Sequence, residues 1–159
     1  MNKNQQRFIN YMSRFVTYTW YMLGNLPSVV FWGVKIKKIN IDACQTTIPY
    51  NWRTKNPFKS IYFATLCGGA ELASGSLCLL HLTGSEKFSM LVVDLNAQFV
   101  KKADAEITMK CEDGHLIKQT LSGLAQPGDT STLKTTIIGH NPNNEIVAKF
   151  EVTWSFKRK

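Results

Sequence analysis

Between Ile61 and Ser85 the chain holds no Lys, no Arg and a single acid, Glu71. An otherwise uncharged stretch of that length has to be covered by other protein or by lipid. The segment "NPFKSIYFATLCGGAELASGSLCLLHL", residues 56–82, opens on an Asn-Pro turn signal at Asn56. It is rich in Ala and Leu and too long for a strand. The pattern therefore predicts a helix from Ile61 to about Leu82, with Ser60 as its N-cap. Gly68, Gly69 and Gly75 each weaken helix propensity by about 1 kcal/mol relative to Ala, so surrounding structure must hold it. Apolar residues fall on most of its sides, as in a helix wrapped by a sheet. A membrane span is the competing use, and Glu71 together with the glycines argues against it.

On that helix Glu71 shares a face with Ala64, Cys67, Gly68, Ser74, Gly75 and Cys78, all small. Tyr62, Leu66, Ala73, Leu77 and Leu80 take the other side. Two readings follow. The small strip can let another element pack closely, with Glu71 paired to a Lys or reaching solvent. Alternatively Glu71 is a desolvated carboxylate of raised pKa, fit to act as a general base or to attack a carbonyl.

The remaining chain reads as short helices and antiparallel strands. Phe15–Gly33 is apolar and aromatic but broken by Gly24, Asn25 and Pro27. It predicts a packed helix, a turn and a short second helix, with peripheral membrane contact a lesser alternative to packing. Residues 34–50 form a hairpin around Asp42. Residues 88–102 form a strand, with 103–111 as its expected antiparallel partner. A helix follows from about Gly114 to Leu124, closed by Pro127 and Gly128. Two strands then flank the "NPNN" turn. The last one alternates most cleanly, through Ile146, Ala148, Phe150, Val152, Trp154 and Phe156. The fold class is α+β, with about six antiparallel strands around one long central helix, an N-terminal helical part and one inserted helix. Residues 1–33 are expected to form the helical segment, packed on a domain spanning 34–159.

With 159 residues, 44% hydrophobic and 19% charged, the chain can bury a core without staples. Its net charge of +8 favours anionic partners. The cations are scattered and lie in no nucleic-acid module, so no nucleic-acid partner is expected. Cys44, Cys67, Cys78 and Cys111 form no C-x-x-C pair, and His81, His115 and His140 are far apart in sequence. Nothing in these spacings points to a metal site, and the thiols are expected to be buried and reduced in the cytoplasm. Residues 1–14 carry charges and amides before the apolar part begins, a pattern unlike a secretory signal.

The element order and the 56–82 segment resemble the hotdog thioesterases, in which a sheet wraps one central helix. In the phenylacetate-pathway branch the helix begins with Asn, five residues, His-Gly-Gly, six residues, then Asp or Glu. Here Asn56 takes the Asn place, Tyr62 stands where the His would be, Phe63-Ala64 replace the Gly-Gly, and Glu71 falls on the acid. Gly68-Gly69 lies too far along to substitute. The "NPFKS" and "AELASG" segments bring the chain nearest to an uncharacterised single-domain hotdog group, and the likeness covers nearly everything after residue 30.

The resemblance implies an acyl-CoA or other acyl-thioester hydrolase, with coenzyme A present only as part of the substrate and no separate cofactor. Glu71 would activate water or form an anhydride, in this family usually from the neighbouring subunit's side of the site. Asn56 would orient the water or the carbonyl. Tyr62, Phe63 and Ser74 would contact substrate, with backbone N–H groups near Tyr62 and Phe63 stabilising the oxyanion. The Tyr62 hydroxyl would replace the missing imidazole as a donor. The family also implies a homodimer with joined sheets, or a homotetramer; the interruptions and Glu71 already argue against stable membrane insertion. The alternative is a non-catalytic hotdog protein that binds acyl-CoA, fatty acyl chains or acyl carrier protein, with the aromatic N-terminal segment lining or covering its pocket.

Overall fold

The computed structural model describes residues 1–84 and 87–159. Three helices come first: α1 (Lys3–Ser13), α2 (Phe15–Asn25) and α3 (Pro27–Trp32). The hairpin β1 (Lys35–Ile39) and β2 (Cys44–Ile48) follows, then α4 (Phe63–Leu82). After it come β3 (Phe88–Phe99), β4 (Ile107–Cys111), α5 (Gly114–Ser122), β5 (Thr130–His140) and β6 (Ile146–Arg158). All six strands join one antiparallel sheet in the order β1-β2-β4-β5-β6-β3. This is the hotdog arrangement that the sequence implied: a sheet curled around α4.

The sheet can close on α4 because of what α4 lacks. A Cβ at Gly69 would overlap the Ile48 side chain on β2, and one at Gly75 would stand 3.1 Å from the Trp154 ring on β6. Thr46 adds a tie, its hydroxyl donating to the Gly69 carbonyl at 2.8 Å. Ala70, Ala73, Leu77, Cys78 and Leu80 are wholly buried against Ile48, Ile107, Met109, Ile137, Phe150 and Phe156 from the strands. Length and hydropathy would let α4 cross a membrane, but it is two-thirds buried inside the protein. Most of its apolar surface is covered by the sheet and the N-terminal helices.

Three details differ from the sequence reading. Helix α4 begins at Phe63 rather than Ile61, and Ser60 is not its cap. The Ile61 N–H donates to Ala103 O and the Tyr62 N–H to Thr54 O, both at 2.7 Å, so both residues are held extended. The Ser60 hydroxyl turns to the Ala103 carbonyl at 3.3 Å. Strand β4 is not the partner of β3: β3 pairs with β6 along its whole length, while β4 lies between β2 and β5. Lengths match in this arrangement, since β3 has 12 residues against the 13 of β6, and β2 and β4 have five each. Residues 100–106 cross over between the two sites, pinned where the Val100 and Lys101 N–H groups donate to Val147 O. Finally, α1 precedes the two helices expected in the N-terminal segment. Its start is a capping box, in which Asn2 and Gln5 bond each other's backbone N–H.

The N-terminal helices join the main core through Met12, Tyr18, Met22 and Val29. The Tyr18 hydroxyl donates to Val34 O at 2.9 Å, fixing α2 to the chain entering β1. Cys44, Cys78 and Cys111 are free and buried, and burial raises each thiol, Cys111 to about 12. Such thiols stay protonated and unreactive at neutral pH.

Helix α5 is seated by one close backbone approach. The Gly114 N–H donates to Asp42 O at 3.0 Å, and a Cβ there would strike the backbone of Ile41 and Asp42. Backbone cannot yield as a side-chain tip can. Gly114→Ala is therefore expected to cost about 1–3 kcal/mol, read as a lower denaturant midpoint. Gly123→Ala at the other end of α5, with nothing nearer than 3.4 Å, should leave the midpoint unchanged or raised.

Candidate active site

Glu71 lies in the third turn of α4 with its side chain half-buried. It faces a cavity of about 260 Å³ whose walls include Met12, Tyr21, Met22, Leu79, Met90 and Trp154. The wall is nearly all hydrocarbon, aromatic ring and thioether. Gly75, one turn further on, keeps the space beside the carboxylate open: a Cβ there would sit 3.2 Å from Glu71 Oε1. No ion pair or hydrogen bond to this carboxylate occurs among the described residues. Burial alone shifts its pKa, upward from the ordinary carboxylate value. A carboxylate left without a cation against an apolar wall is the arrangement that makes a proton acceptor usable near neutral pH.

Ser74 and Trp154 hold one side of that wall. The Trp154 indole N–H donates to Ser74 Oγ at 3.1 Å in a fully buried contact. The Ser74 hydroxyl is within reach of the Ala70 and Glu71 carbonyls at 3.4 and 3.3 Å. Its hydrogen-bonding capacity is thus spent inside the protein, and what it does for the cavity is to fix the indole. The other site residues predicted from sequence lie elsewhere. Asn56 accepts the Phe58 and Ser60 N–H groups at 3.0 and 3.2 Å, forming the turn that precedes α4. It lines a second cavity, of about 390 Å³, together with Phe63, Phe99, Lys101 and Lys102. Tyr62 is exposed, its ring stacked edge-on to Phe63 at 4.9 Å, and Phe63 stands against Phe99 at 6.5 Å.

Of the backbone donors expected at the helix start, the Tyr62 N–H is already engaged by Thr54. Donors in the first turn begin at Phe63, and no side chain caps them. Within one chain Glu71 and this helix start are far apart. Eight residues of helix separate Phe63 from Glu71, about 12 Å of axial rise. Reacting atoms must approach to about 3–3.5 Å. Glu71 therefore cannot serve a carbonyl bound at the helix start of the same chain.

Sequence reasoning assigned no site role to Trp154, Met90 or Met12, and reached Met22 only as part of the aromatic N-terminal segment expected to line or cover a pocket. Trp154 was visible only as a core residue of the alternating last strand. Met12 and Met90 carried no signal, because they reach the cavity from α1 and β3, far apart in sequence. Among the described residues no three His, Cys, Asp or Glu side chains gather as a metal site would require.

Comparison with known proteins places this geometry in a fold. A Pseudomonas aeruginosa protein of unknown function, described as a probable thioesterase, is 18% identical and superposes with a TM-score of 0.76, covering 94% of this chain and 99% of its own. A thioesterase from Haemophilus influenzae is 17% identical with a TM-score of 0.66, covering 93% and 94%. A protein of unknown function from Chlorobaculum tepidum is 14% identical with a TM-score of 0.74, covering 98% and 94%. Similarity at such identities establishes the shared fold. No curated protein matches the sequence. Residues 13–156 match the family described as a domain of unknown function, DUF4442, and with nearly the whole length matched the chain belongs to that family.

Proposed function

We propose that the protein hydrolyses acyl thioesters, with Glu71 as the general base or nucleophile and the acyl group held in the cavity beside it. The observation that carries this reading is the Glu71 carboxylate, without a partner among the described residues and facing an apolar cavity. The cavity falls just under the roughly 300–1,000 Å³ of drug-sized sites, so it suits an acyl group and not a whole nucleotide-bearing thioester. The polar remainder of an acyl-CoA would lie outside it, and Lys102 beside the second cavity suits its phosphates. The names of the structural neighbours agree with a thioester substrate.

The second cavity enters through a dimer. Strand β3 ends the sheet, and its free edge carries Leu91 and Val93 in solvent. A long apolar edge of this kind invites pairing. When β3 pairs antiparallel with a second β3 across a two-fold axis, the Met90 end of one strand meets the Phe99 end of the other. Met90 borders the Glu71 cavity and Phe99 borders the cavity at the helix start. A homodimer of this form sets one subunit's Glu71 near its partner's α4 N-terminus, where first-turn N–H groups and the helix dipole favour a developing oxyanion. It removes the 12 Å obstacle within a single chain. A binding protein without turnover is the second reading. It is favoured by the Asn56 side-chain oxygen, which is engaged in its own turn.

Three measurements test the proposal. Thiol release from a panel of acyl-CoAs, short to long and aromatic, is expected from wild type and should fall about a hundredfold or more in Glu71→Gln. Equal rates would remove Glu71 from the mechanism, and binding without release in wild type would favour the second reading. The pH dependence has a definite sign. Burial raises the Glu71 pKa in the folded chain, so the folded state is favoured below the ordinary carboxylate range and loses stability as pH climbs towards the raised value. The melting temperature of Glu71→Gln should therefore exceed that of wild type at neutral pH, with the gap closing in acid. In sedimentation, wild type should run as a dimer and Leu91→Lys/Val93→Lys as a monomer. A monomeric wild type would remove the shared site.

A further inference from the structure

The outer face of α2 is apolar where a surface helix is normally polar. Val16, Trp20 and Leu23 recur with helical spacing and point to solvent, Trp20 being 71% exposed. On the opposite side Tyr18 and Met22 belong to the core, and Met22 lines the Glu71 cavity. The helix contains no charged residue at all. Its apolar face continues sideways. Phe15 is 68% exposed, and Phe31 on α3 stands edge-on to Trp52 at 6.1 Å, with Trp52 72% exposed.

Cations border these rings. Phe15, Lys35 and Arg53 line one groove, and Lys35 Nζ sits 5.4 Å above the centre of the Phe15 ring. The distribution of charge along the chain is as uneven. Residues 1–70 hold nine of the 19 Lys and Arg and a single acid, Asp42, so the whole net charge of +8 resides there. Residues 71–159 carry ten of each sign, and residues 1–41 contain no acid.

We infer that α2, with α3 and the turn carrying Trp52, docks onto the surface of an anionic lipid bilayer. Trp20, Leu23 and Phe15 enter the headgroup–acyl boundary, while Arg14, Lys35 and Arg53 meet the lipid phosphates and carboxylates. Tryptophan at such a boundary keeps its indole N–H wet and its ring in hydrocarbon. An apolar helix face beside basic residues is the arrangement of helices that lie in the plane of the interface. The helix lies on the membrane and does not span it, because its 11 residues reach about 16 Å against a hydrocarbon core of about 30 Å. A nucleic acid would match the cations but leave Val16, Trp20 and Leu23 unexplained. A second copy of the chain would set two faces of the same charge against each other.

The inference stands apart from the hydrolase reading and is tested separately. The full-length protein is co-sedimented with vesicles of phosphatidylcholine and phosphatidylserine, and with vesicles of phosphatidylcholine alone. Wild type should bind the anionic vesicles, more weakly as salt rises, and leave the neutral ones. Trp20→Ser/Leu23→Ser removes two exposed apolar side chains and should bind about tenfold or more weakly. Arg14→Gln/Lys35→Gln should fall by a similar factor, at about fivefold per charge removed. Glu71→Gln should bind as wild type does. No binding to anionic vesicles at low salt, or undiminished binding by either double variant, overturns the inference. So does self-association of wild type that Trp20→Ser/Leu23→Ser abolishes while no vesicle binding is seen, since a second copy is then the occupant.

Discussion

The Ile48 side chain packs against the bare backbone of Gly69, where a Cβ would overlap it, and this close approach of sheet to helix shapes the architecture. With a side chain at that position, β2 would stand off from α4. The Thr46 hydroxyl would then lose the Gly69 carbonyl, and the curl that brings β4 and β5 over the helix would relax. The glycines that weaken α4 as an isolated helix are what allow it to be buried. Sheet packing, worth about 25 cal/mol for each square ångström of apolar surface covered, replaces what intrinsic propensity withholds.

The same small residues create the candidate site. Gly75 leaves the room next to Glu71 into which the Trp154 ring leans, and Ser74 supplies the acceptor that fixes the indole N–H. Without that acceptor, a buried indole N–H would cost about 1–3 kcal/mol. The cavity is therefore held open by a hydrogen bond on one side and by a missing side chain on the other. The carboxylate itself has no hydrogen-bond or ion-pair partner among the described residues. A fold that keeps an acid against methionine and tryptophan bears a cost in stability that a role in proton transfer would explain.

Much of this was legible in the sequence because it was written in periodicity and charge. Lone Glu71 in an uncharged, glycine-bearing segment identified both the central helix and its exceptional residue. The alternation through Trp154 identified β6. The pairing of β3 was not legible. Neighbouring strands usually pair, and only the match in length with β6 and the anchoring of the crossover at Val147 decide otherwise. The start of α4 was misplaced for a similar reason. Ser60 is a good cap by type, but long-range hydrogen bonds from Ile61 and Tyr62 hold the chain extended past it. Asn56 could not be settled by spacing at all, since an asparagine that builds the turn and one that faces a substrate look the same in sequence.

Helix α2 ties these threads together. Its inner side closes the cavity over Glu71, and its outer side presents tryptophan and leucine to solvent. A helix with two apolar faces is stable in water only if something other than propensity holds it. Here that is the core contact of Tyr18 and Met22 and the hydrogen bond from Tyr18 to Val34. Only about 10 Å of helix then separates the cavity from the outer apolar surface. If the two proposals hold together, an acyl group leaving a bilayer would need to pass one layer of side chains to reach Glu71. Chemistry and location would then be two sides of the same eleven residues. The uneven charge of the chain serves this arrangement: the half that forms the surface is basic, and the half that builds most of the sheet is neutral.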